Sequence, residues 1–352
     1  MPNAGMFTGR LLVVAFEGWN DAGEAASGAV SMLKDLLDLY PIAEIDAERY
    51  FDYQFNRPTA TSNDDGNRML VWPSVITYGP TSVLGQRVEQ PAPRESGAAG
   101  MLGQFGQPGM PGRLSGPGPL RLPGLAEDAE LDVSADNKAN IYLLLGTEPS
   151  RNWKSFAVEI MATIHENSIA GVVFLGAMLA DVPHTRPISV FVSSENTEIR
   201  RQLGVERSTY EGPVGILSVL GEAVEKAGIP TVSIWASVPH YVHNAPSPKA
   251  TLAIIDKLEE IIDIVIPRGE LVDESAAWES GIDDLAREDD DMASYIAGLE
   301  QARDTVDSPE ASGEAIAQEF EKYLRRRDGK ADGRSQGGTA GPVGPGPTGP
   351  PE

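Results

Sequence analysis

Carboxylate, amide and indole side chains stand together in one short stretch, residues 16–23 (FEGWNDAG). The residues before it, 11–15 (LLVVA), form an uninterrupted apolar run that is typical of a strand buried on both faces. The residues after it have the spacing of a helix, so the stretch, which we call the corner, is predicted to be a strand-to-helix turn. Open α/β sheets bind ligands at such turns. The candidate site residues here are Glu17, Trp19, Asn20 and Asp21.

Three further loops follow predicted strands, at residues 146–153, 176–187 and 235–242. Because the carboxyl ends of parallel strands share one edge of a sheet, we expect these loops to converge with the corner. The charged, histidine and aromatic candidates that they add are Glu148, His184, Arg186, His240 and Tyr241.

Two kinds of chemistry would use this set. Glu17, Glu148, His184 and His240 offer the carboxylate and imidazole ligands of a divalent metal that activates water, although no paired metal-ligand motif supports this. Alternatively, Glu17 and Glu148 act as acid and base. Arg186 would then hold an anionic substrate and His240 would move a proton.

The same residues also have structural interpretations. Asn20 or Asp21 can cap the following helix by accepting a hydrogen bond from a backbone N–H. Trp19 can be a packing residue, and Arg186 can be the partner of a carboxylate. His184 follows proline and can anchor a rigid loop.

Recognised catalytic motifs are absent from the sequence. No Gly-x-Ser-x-Gly turn, Walker loop or Gly-x-Gly-x-x-Gly follows any predicted strand. The chain has 0 cysteines, which excludes thiolate metal sites and cysteine nucleophiles. We therefore predict no metal and no cofactor.

Composition restricts the partners and the compartment. The 352 residues carry a formal net charge of -24, which argues against nucleic acid or an anionic membrane as a partner. No run of 18 apolar residues exists. Residues 1–10 lack the basic and apolar regions of a secretory signal, so a cytoplasmic location is expected.

Strands that alternate with helices predict a three-layer αβα domain with a mostly parallel sheet over residues 1–267. In its first part we expect a helix from Asp21 to about Tyr40, a strand at 45–51 and a hairpin at 69–78. Within this domain, residues 81–140 are rich in glycine and proline and are predicted to be a largely disordered insertion.

The end of the chain has a different pattern. Residues 268–327 are predicted to form an acidic helical hairpin whose first helix is interrupted at Asp289 and whose second helix begins near Ser308. Residues 328–352 are predicted to be a disordered tail rich in glycine and proline.

Five motifs in order make the chain similar to a known family. They are residues 16–23 (FEGWNDAG), 146–149 (GTEP), 182–187 (VPHTRP), 210–215 (YEGPVG) and 235–241 (WASVPHY). Together they resemble the proteasome assembly chaperone 2 family as it is found in actinobacteria. The resemblance covers residues 10–78 and 141–327.

This resemblance implies a core similar to phosphorylase/hydrolase-like folds, a helical C-terminal extension and homo-oligomers, with trimers as the expected form. Its eukaryotic relatives are non-enzymatic chaperones of proteasome assembly that dock through a C-terminal hydrophobic-Tyr-any tripeptide. This chain departs from that pattern because it ends in residues 349–352 (GPPE). Direct docking through the C-terminus is therefore not expected unless processing removes the tail.

Two functions follow from these observations. The first is a non-enzymatic, oligomeric interaction protein that resembles proteasome assembly chaperones and has a proteasome-related protein partner. The second is a small-molecule-binding protein or hydrolase that uses the loops at the carboxyl ends of the strands.

Overall fold

A computed structural model describes residues 9–63, 65–80, 140–243 and 245–307. The strands among these residues are β1 (Arg10–Glu17), β2 (Tyr40–Glu44), β3 (Thr59–Ser62), β4 (Arg68–Val71), β5 (Val75–Gly79), β6 (Ile141–Thr147), β7 (Ile169–Ala180), β8 (Val190–Ser193) and β9 (Thr231–Pro239). The α-helices are α1 (Ala25–Leu36), α2 (Ala47–Tyr50), α3 (Trp153–Glu166), α4 (Thr197–Leu203), α5 (Ile216–Lys226), α6 (Pro248–Ile262), α7 (Leu271–Glu288) and α8 (Asp290–Asp307).

A 7-stranded sheet in the order β2-β5-β6-β1-β7-β9-β8 forms the middle layer. Its four central strands, β6, β1, β7 and β9, are parallel, and the strands towards both edges are antiparallel. The apolar runs of β1 and β6 lie at the centre because their side chains need cover on both faces.

Helices cover the two faces of this sheet. Side chains of β1 alternate, so that Leu11 and Val13 pack with α1 and α6, while Leu12 and Val14 pack with α3 and α5. Burial on both sides of one strand produces three layers. The predicted αβα fold with a mostly parallel sheet is confirmed.

The first predicted strand after α1 was placed too late in the sequence. Helix α1 ends at Leu36, β2 follows at Tyr40–Glu44, and the residues from Ala47 to Tyr50 are helix α2. Pro41 was expected to stop a helix but lies within β2. It is tolerated there because β2 is an edge strand, where a missing N–H need not break the ladder.

The predicted hairpin at 69–78 is also wrong. Strand β4 pairs with β3 in a separate two-stranded sheet, which we call the ribbon (residues 59–71). Strand β5 instead joins the main sheet between β2 and β6. Pro73 therefore separates two sheets. The β3 sequence, TATS, has too few apolar residues to be recognised as a strand.

The chain through Glu288 forms one compact unit, and the residues from Asp289 form a second. In the first unit α7 follows α6, and Arg268 between them bonds Asp256 and Glu259 on α6. In the second unit Asp289 caps α8, since its carboxylate accepts the N–H groups of Asp291 and Met292, both at 3.0 Å. The predicted helix from Ser308, the insertion as far as 139 and the tail at 328–352 lie outside the described residues.

None of the described helices combines the length and the apolar character needed to cross a membrane.

Candidate functional site

Unequal strand lengths decide where the candidate residues lie. Val14 of β1 pairs with Phe174 of β7, but β7 continues to Ala180, where it pairs with Pro239 of β9. The chain after β1 continues alongside this extension in a parallel bridge, in which the Ala177 N–H donates to the Asn20 carbonyl oxygen at 2.7 Å. Since β7 runs three residues beyond Ala177, its end lies about 10 Å further along the strand.

Asp21 holds the start of α1. Its Oδ1 accepts the backbone N–H groups of Ala26 at 2.8 Å and Ser27 at 3.1 Å. The first turns of a helix leave such N–H groups without partners, so the predicted capping role of Asp21 is confirmed. Its other oxygen, Oδ2, is buried and has no hydrogen-bond partner among the described residues.

Burial raises the pKa of the Asp21 carboxyl above its ordinary value, and the negative charge of Glu17 acts in the same direction. The hydrogen bonds from Ser27 and Ala26 oppose this by favouring the ionised form. Burial is the larger effect. The site therefore holds a carboxyl that resists ionisation.

Glu148 joins three parts of the chain. Its Oε1 accepts Asn20 Nδ2 at 3.0 Å and the backbone N–H of Ile216, the first residue of α5, at 2.7 Å. A negative charge is favourable at a helix N-terminus. Asn20 in turn lies against Gly215, where a Cβ atom would come within 2.2 Å of Asn20 Nδ2. We call Asn20, Glu148, Gly215 and Ile216 the carboxylate joint.

Glu17 and Trp19 lie on the outside of the corner. Glu17 is exposed, and its Oε2 accepts the hydroxyl of Thr147 at 3.1 Å. The Trp19 side chain is 68% exposed, which is unusual for so large an apolar group. The corner thus directs Asn20 and Asp21 inwards and Glu17 and Trp19 outwards.

His184 is fully buried in a second group of residues. Its backbone N–H donates to Tyr241 Oη at 2.7 Å, and the same hydroxyl lies 2.9 Å from His184 Nδ1. On the other side of the ring, Nε2 lies 3.0 Å from Asp283 Oδ1. The Trp278 ring lies edge-on to the imidazole, with the two ring centroids 6.4 Å apart. We call His184, Tyr241, Trp278 and Asp283 the histidine cluster. Their contacts attach the loop after β7 to helix α7.

Three neighbours complete this region. Lys249 Nζ donates to the His184 carbonyl oxygen at 2.5 Å and pairs with Glu279 of α7. His240 is exposed, with Nδ1 3.1 Å from Asp181 Oδ1. Arg186 Nη1 donates to Thr185 Oγ1 at 3.3 Å. The structure thus brings Asn20 together with Glu148, and His184 together with Tyr241, in two groups.

Two cavities adjoin the corner. The smaller, of about 580 Å³, is lined by Gly18, Trp19, Asp21, Ala22, Gly23, Glu24, Met178, Leu179, His243 and Ala245. The larger, of about 1210 Å³, lies between α5, β8 and the first half of β9, and its lining includes Trp19, Asn20, Phe191, Tyr210, Val214 and Trp235. We call the larger one the aromatic groove. Trp19 lines both.

Comparison with known proteins gives the chain a family. The family model described as "PAC2 family" matches residues 15–286, which include the corner, the carboxylate joint and the histidine cluster. The chain belongs to the PAC2 family. A search of curated proteins gave no match.

Solved structures agree with this assignment. A PAC2 family protein from Streptomyces avermitilis is 37% identical, with 82% of this chain and 99% of that chain covered and a TM-score of 0.60. A proteasome-assembly chaperone homologue from Mycobacterium tuberculosis is 34% identical, with 81% and 99% covered and a TM-score of 0.59. A second M. tuberculosis protein, of unknown function, is 21% identical, with 84% and 85% covered and a TM-score of 0.63, and it shares the fold.

In this PAC2 protein the described residues contain no group of three or more histidine and acidic side chains placed to hold a metal ion. Glu148, one of the predicted metal or acid/base groups, instead accepts two hydrogen bonds from Asn20 and Ile216. These hydrogen bonds fix the starts of two helices. Asp21 accepts N–H groups in the first turn of α1, and Glu148 accepts the N–H of the first residue of α5.

Sequence reasoning did not find several partners in these groups. Gly215 is the last residue of the motif at 210–215 (YEGPVG) and Ile216 follows it, but nothing local connects them to Glu148. Asp283 and Trp278 lie in a helix whose acidic residues look solvated in the sequence. No signal within a single sequence links either residue to His184, which is 99 residues from Asp283.

Proposed function

We propose that this PAC2 protein is a non-enzymatic, oligomeric interaction protein that resembles proteasome assembly chaperones. Its partner would be a proteasome-related protein, and its location the cytoplasm. It would form homo-oligomers, and the family resemblance implies trimers.

One observation carries this proposal: Asn20, Glu148 and His184 are engaged in hydrogen bonds within the protein, while the accessible surface beside the corner is aromatic. Glu148 and His184 each make two or more hydrogen bonds that join separate elements. A reactive acid or base must instead reach the proton that it transfers. Their engagement favours a structural role.

The surface next to the carboxylate joint suits a protein partner. Trp19, Phe191, Tyr210 and Val214 are all exposed, and all four line the aromatic groove. Monomeric proteins rarely expose such groups together without a binding role. Tryptophan and tyrosine are also enriched among the residues that dominate protein–protein affinity.

The similarity to a proteasome-assembly chaperone homologue, at 34% identity over 99% of that chain, supports the choice of partner class. The resemblance of the corner and of the motif at 182–187 supports it independently of the groove.

Binding to purified proteasome subunits tests the proposal. We expect Trp19→Ala to weaken binding at least about 10-fold, because truncation of a central aromatic residue at an interface costs about 2 kcal/mol or more. Val158→Ala is the matched control, since Val158 is 69% exposed on α3 and lines neither cavity. Equal binding by the parent protein and Trp19→Ala would contradict the proposed surface.

A specific observation also favours the second function, small-molecule binding or hydrolysis. The cavity of about 580 Å³ is of the size that takes small ligands, and Asp21, which lines it, has an oxygen without a partner among the described residues. Thermal-shift screening with divalent metals and cationic metabolites tests this function. A stabilisation that disappears in Asp21→Asn would support it, and no response from any compound would count against it.

A further inference from the structure

The smaller of the two cavities beside the corner is lined by carboxyl groups without a cationic side chain to balance them. Asp21 and Glu24 line it, and no lysine or arginine is among the described residues that do so. The chain as a whole carries a formal net charge of -24, so its field also favours cations. The composition of the lining therefore indicates a positively charged ligand.

The Asp21 side chain gives a second and independent indication of a ligand. Asp21 is only 6% exposed, and its Oδ2 has no hydrogen-bond partner among the described residues. A buried carboxyl oxygen without a partner costs free energy, and a bound N–H donor removes that cost. A donor that is also positively charged favours the ionised carboxylate, which burial alone disfavours.

The imidazole of His243 adds another acceptor to the lining. Its Nδ1 lies 2.7 Å from the His240 carbonyl oxygen, and because a carbonyl oxygen can only accept, Nδ1 carries a proton. In the neutral ring Nε2 is then an acceptor. Asp21, Glu24 and His243 can therefore all accept hydrogen bonds from a ligand.

The spacing of these three side chains favours an organic cation over a metal ion. Carboxylate and imidazole groups are ordinary metal ligands, but the described residues contain no group of three or more histidine and acidic side chains placed to hold one ion. An exposed indole such as Trp19 is the preferred aromatic partner of an organic ammonium. Met178 and Leu179, which are 39% and 49% exposed, supply the apolar part of the lining.

We propose that this cavity binds a primary ammonium group that carries a short apolar chain. The ammonium group donates to Asp21 Oδ2 and lies against the Trp19 ring, and the chain extends along Met178 and Leu179. A cavity of about 580 Å³ accommodates a small ligand of this kind. A free amine and the lysine side chain of a protein share this chemistry.

This inference rests on the second proposed function, small-molecule binding, and names its class of ligand. The two can fail separately. A parent protein that binds hexanol or hexanoate but not hexylamine would leave small-molecule binding standing and overturn the ammonium site.

Isothermal titration calorimetry of the full chain tests the inference with hexylamine, hexanol and hexanoate, which differ only in the polar group. Hexylamine is protonated at neutral pH, and hydrogen bonds between charged groups are stronger than neutral ones. We therefore expect one hexylamine to bind per chain, at least about 10-fold more tightly than hexanol, and hexanoate to bind more weakly than either. Equal affinities for hexylamine and hexanol, or no binding of hexylamine, would overturn the inference.

Two substitutions of the same type separate the site from the general charge of the chain. Asp21→Asn removes a carboxylate from the cavity, and Asp35→Asn removes an exposed one on α1 that lines neither cavity. We expect Asp21→Asn to weaken hexylamine binding at least about 10-fold and Asp35→Asn to leave it within about 2-fold. Equal weakening in both variants would show that the amine follows net charge, and would overturn the site.

Trp19→Ala is a second variant that does not depend on a buried residue, since Trp19 is exposed. Loss of the cation–π contact should weaken hexylamine binding about 3-fold. Unchanged binding in Trp19→Ala would contradict the proposed arrangement.

A comparison of hexylamine with Nα-acetyl-lysine amide distinguishes the two sources of the ammonium group. Tighter binding of the lysine compound would assign the cavity to a lysine side chain of a protein partner, and tighter binding of hexylamine would assign it to a free amine. Either result supports the ammonium site, and binding of neither compound would overturn it.

Discussion

The corner and the ribbon use their most distinctive side chains in opposite ways. The corner has polar residues that a reader of the sequence would assign to chemistry, and the structure directs Asn20 and Asp21 inwards, where they bond the elements around them. The ribbon has apolar residues that would be assigned to a core, and Met69 and Leu70 are exposed. The difference indicates that in this PAC2 protein the inward polar groups of the corner hold the fold, whereas the apolar groups of the ribbon are left exposed.

The physical reason for the contrast is the position of each segment in the sheet. The corner follows the central strand β1, so its inward residues Asn20 and Asp21 are buried, and buried polar groups are stabilised by hydrogen-bond partners. The ribbon lies outside the main sheet, and every residue of its two strands is exposed. Residue type therefore predicts exposure poorly in these two segments, whereas position relative to the main sheet accounts for it.

Removal of the carboxylate joint should have the largest effect on stability. We expect Glu148→Ala to lower the free energy of unfolding by about 3 kcal/mol, because the Asn20 amide and the Ile216 N–H both lose a charged acceptor. Chemical denaturation measures this loss. Glu148→Gln keeps an acceptor oxygen and should lose about half as much. A loss below about 0.5 kcal/mol in Glu148→Ala would contradict the claim that the carboxylate joint holds the fold.

Substitutions in the histidine cluster should also lower the free energy of unfolding, but by less than Glu148→Ala does. We expect His184→Ala to lower the free energy of unfolding by about 2 kcal/mol, because Tyr241 Oη and Asp283 lose their buried partner and a small cavity forms. Tyr241→Phe, which removes only the hydroxyl, should lower it by about 1 kcal/mol. An unfolding transition unchanged in both variants would show that this cluster does not hold the fold.

Asp21 should give a smaller effect that depends on pH. Because burial raises its folded-state pKa, ionisation of Asp21 favours the unfolded chain, and its stabilising contribution is lost as pH rises from the ordinary value of 3.8 through the raised pKa. The stability of Asp21→Asn relative to the parent should therefore increase between about pH 4 and pH 7. Thermal unfolding at several pH values measures the difference. A relative stability that falls over this range would contradict the burial argument.

Changes in the ribbon should have the smallest effect on the folded monomer. We expect Met69→Ser to change the free energy of unfolding of the monomeric protein by no more than about 0.5 kcal/mol, as is usual for an exposed side chain. Denaturation is measured at concentrations where sedimentation shows a monomer. A loss above about 2 kcal/mol would mean that the ribbon is part of the core.

The sequence predicted what depends on local pattern. The apolar run at 11–15 identified β1, and Asp21 was correctly expected to cap a helix, because a cap acts within a few residues of itself. The three-layer fold followed from the alternation of strands and helices.

Features that depend on distant parts of the chain could not be predicted. The bond from Ile216 to Glu148 spans 68 residues, and no local spacing encodes it. The assignment of Met69–Val71 to a separate ribbon depends on Thr59–Ser62, a strand with almost no apolar signal. The extension of β7 to Ala180 depends on pairing with β9, and it places Met178 and Leu179 beside the corner.

The contrast between outward apolar side chains and inward polar ones is tested most directly by one binding measurement on two variants. Trp19→Ala and Glu148→Gln alter the outward and inward sides of the same region, and their affinities for purified proteasome subunits are compared with that of the parent. We predict that Trp19→Ala binds at least about 10-fold more weakly while Glu148→Gln, once shown to be folded, binds as the parent does. Normal binding by Trp19→Ala together with lost binding by folded Glu148→Gln would contradict the account.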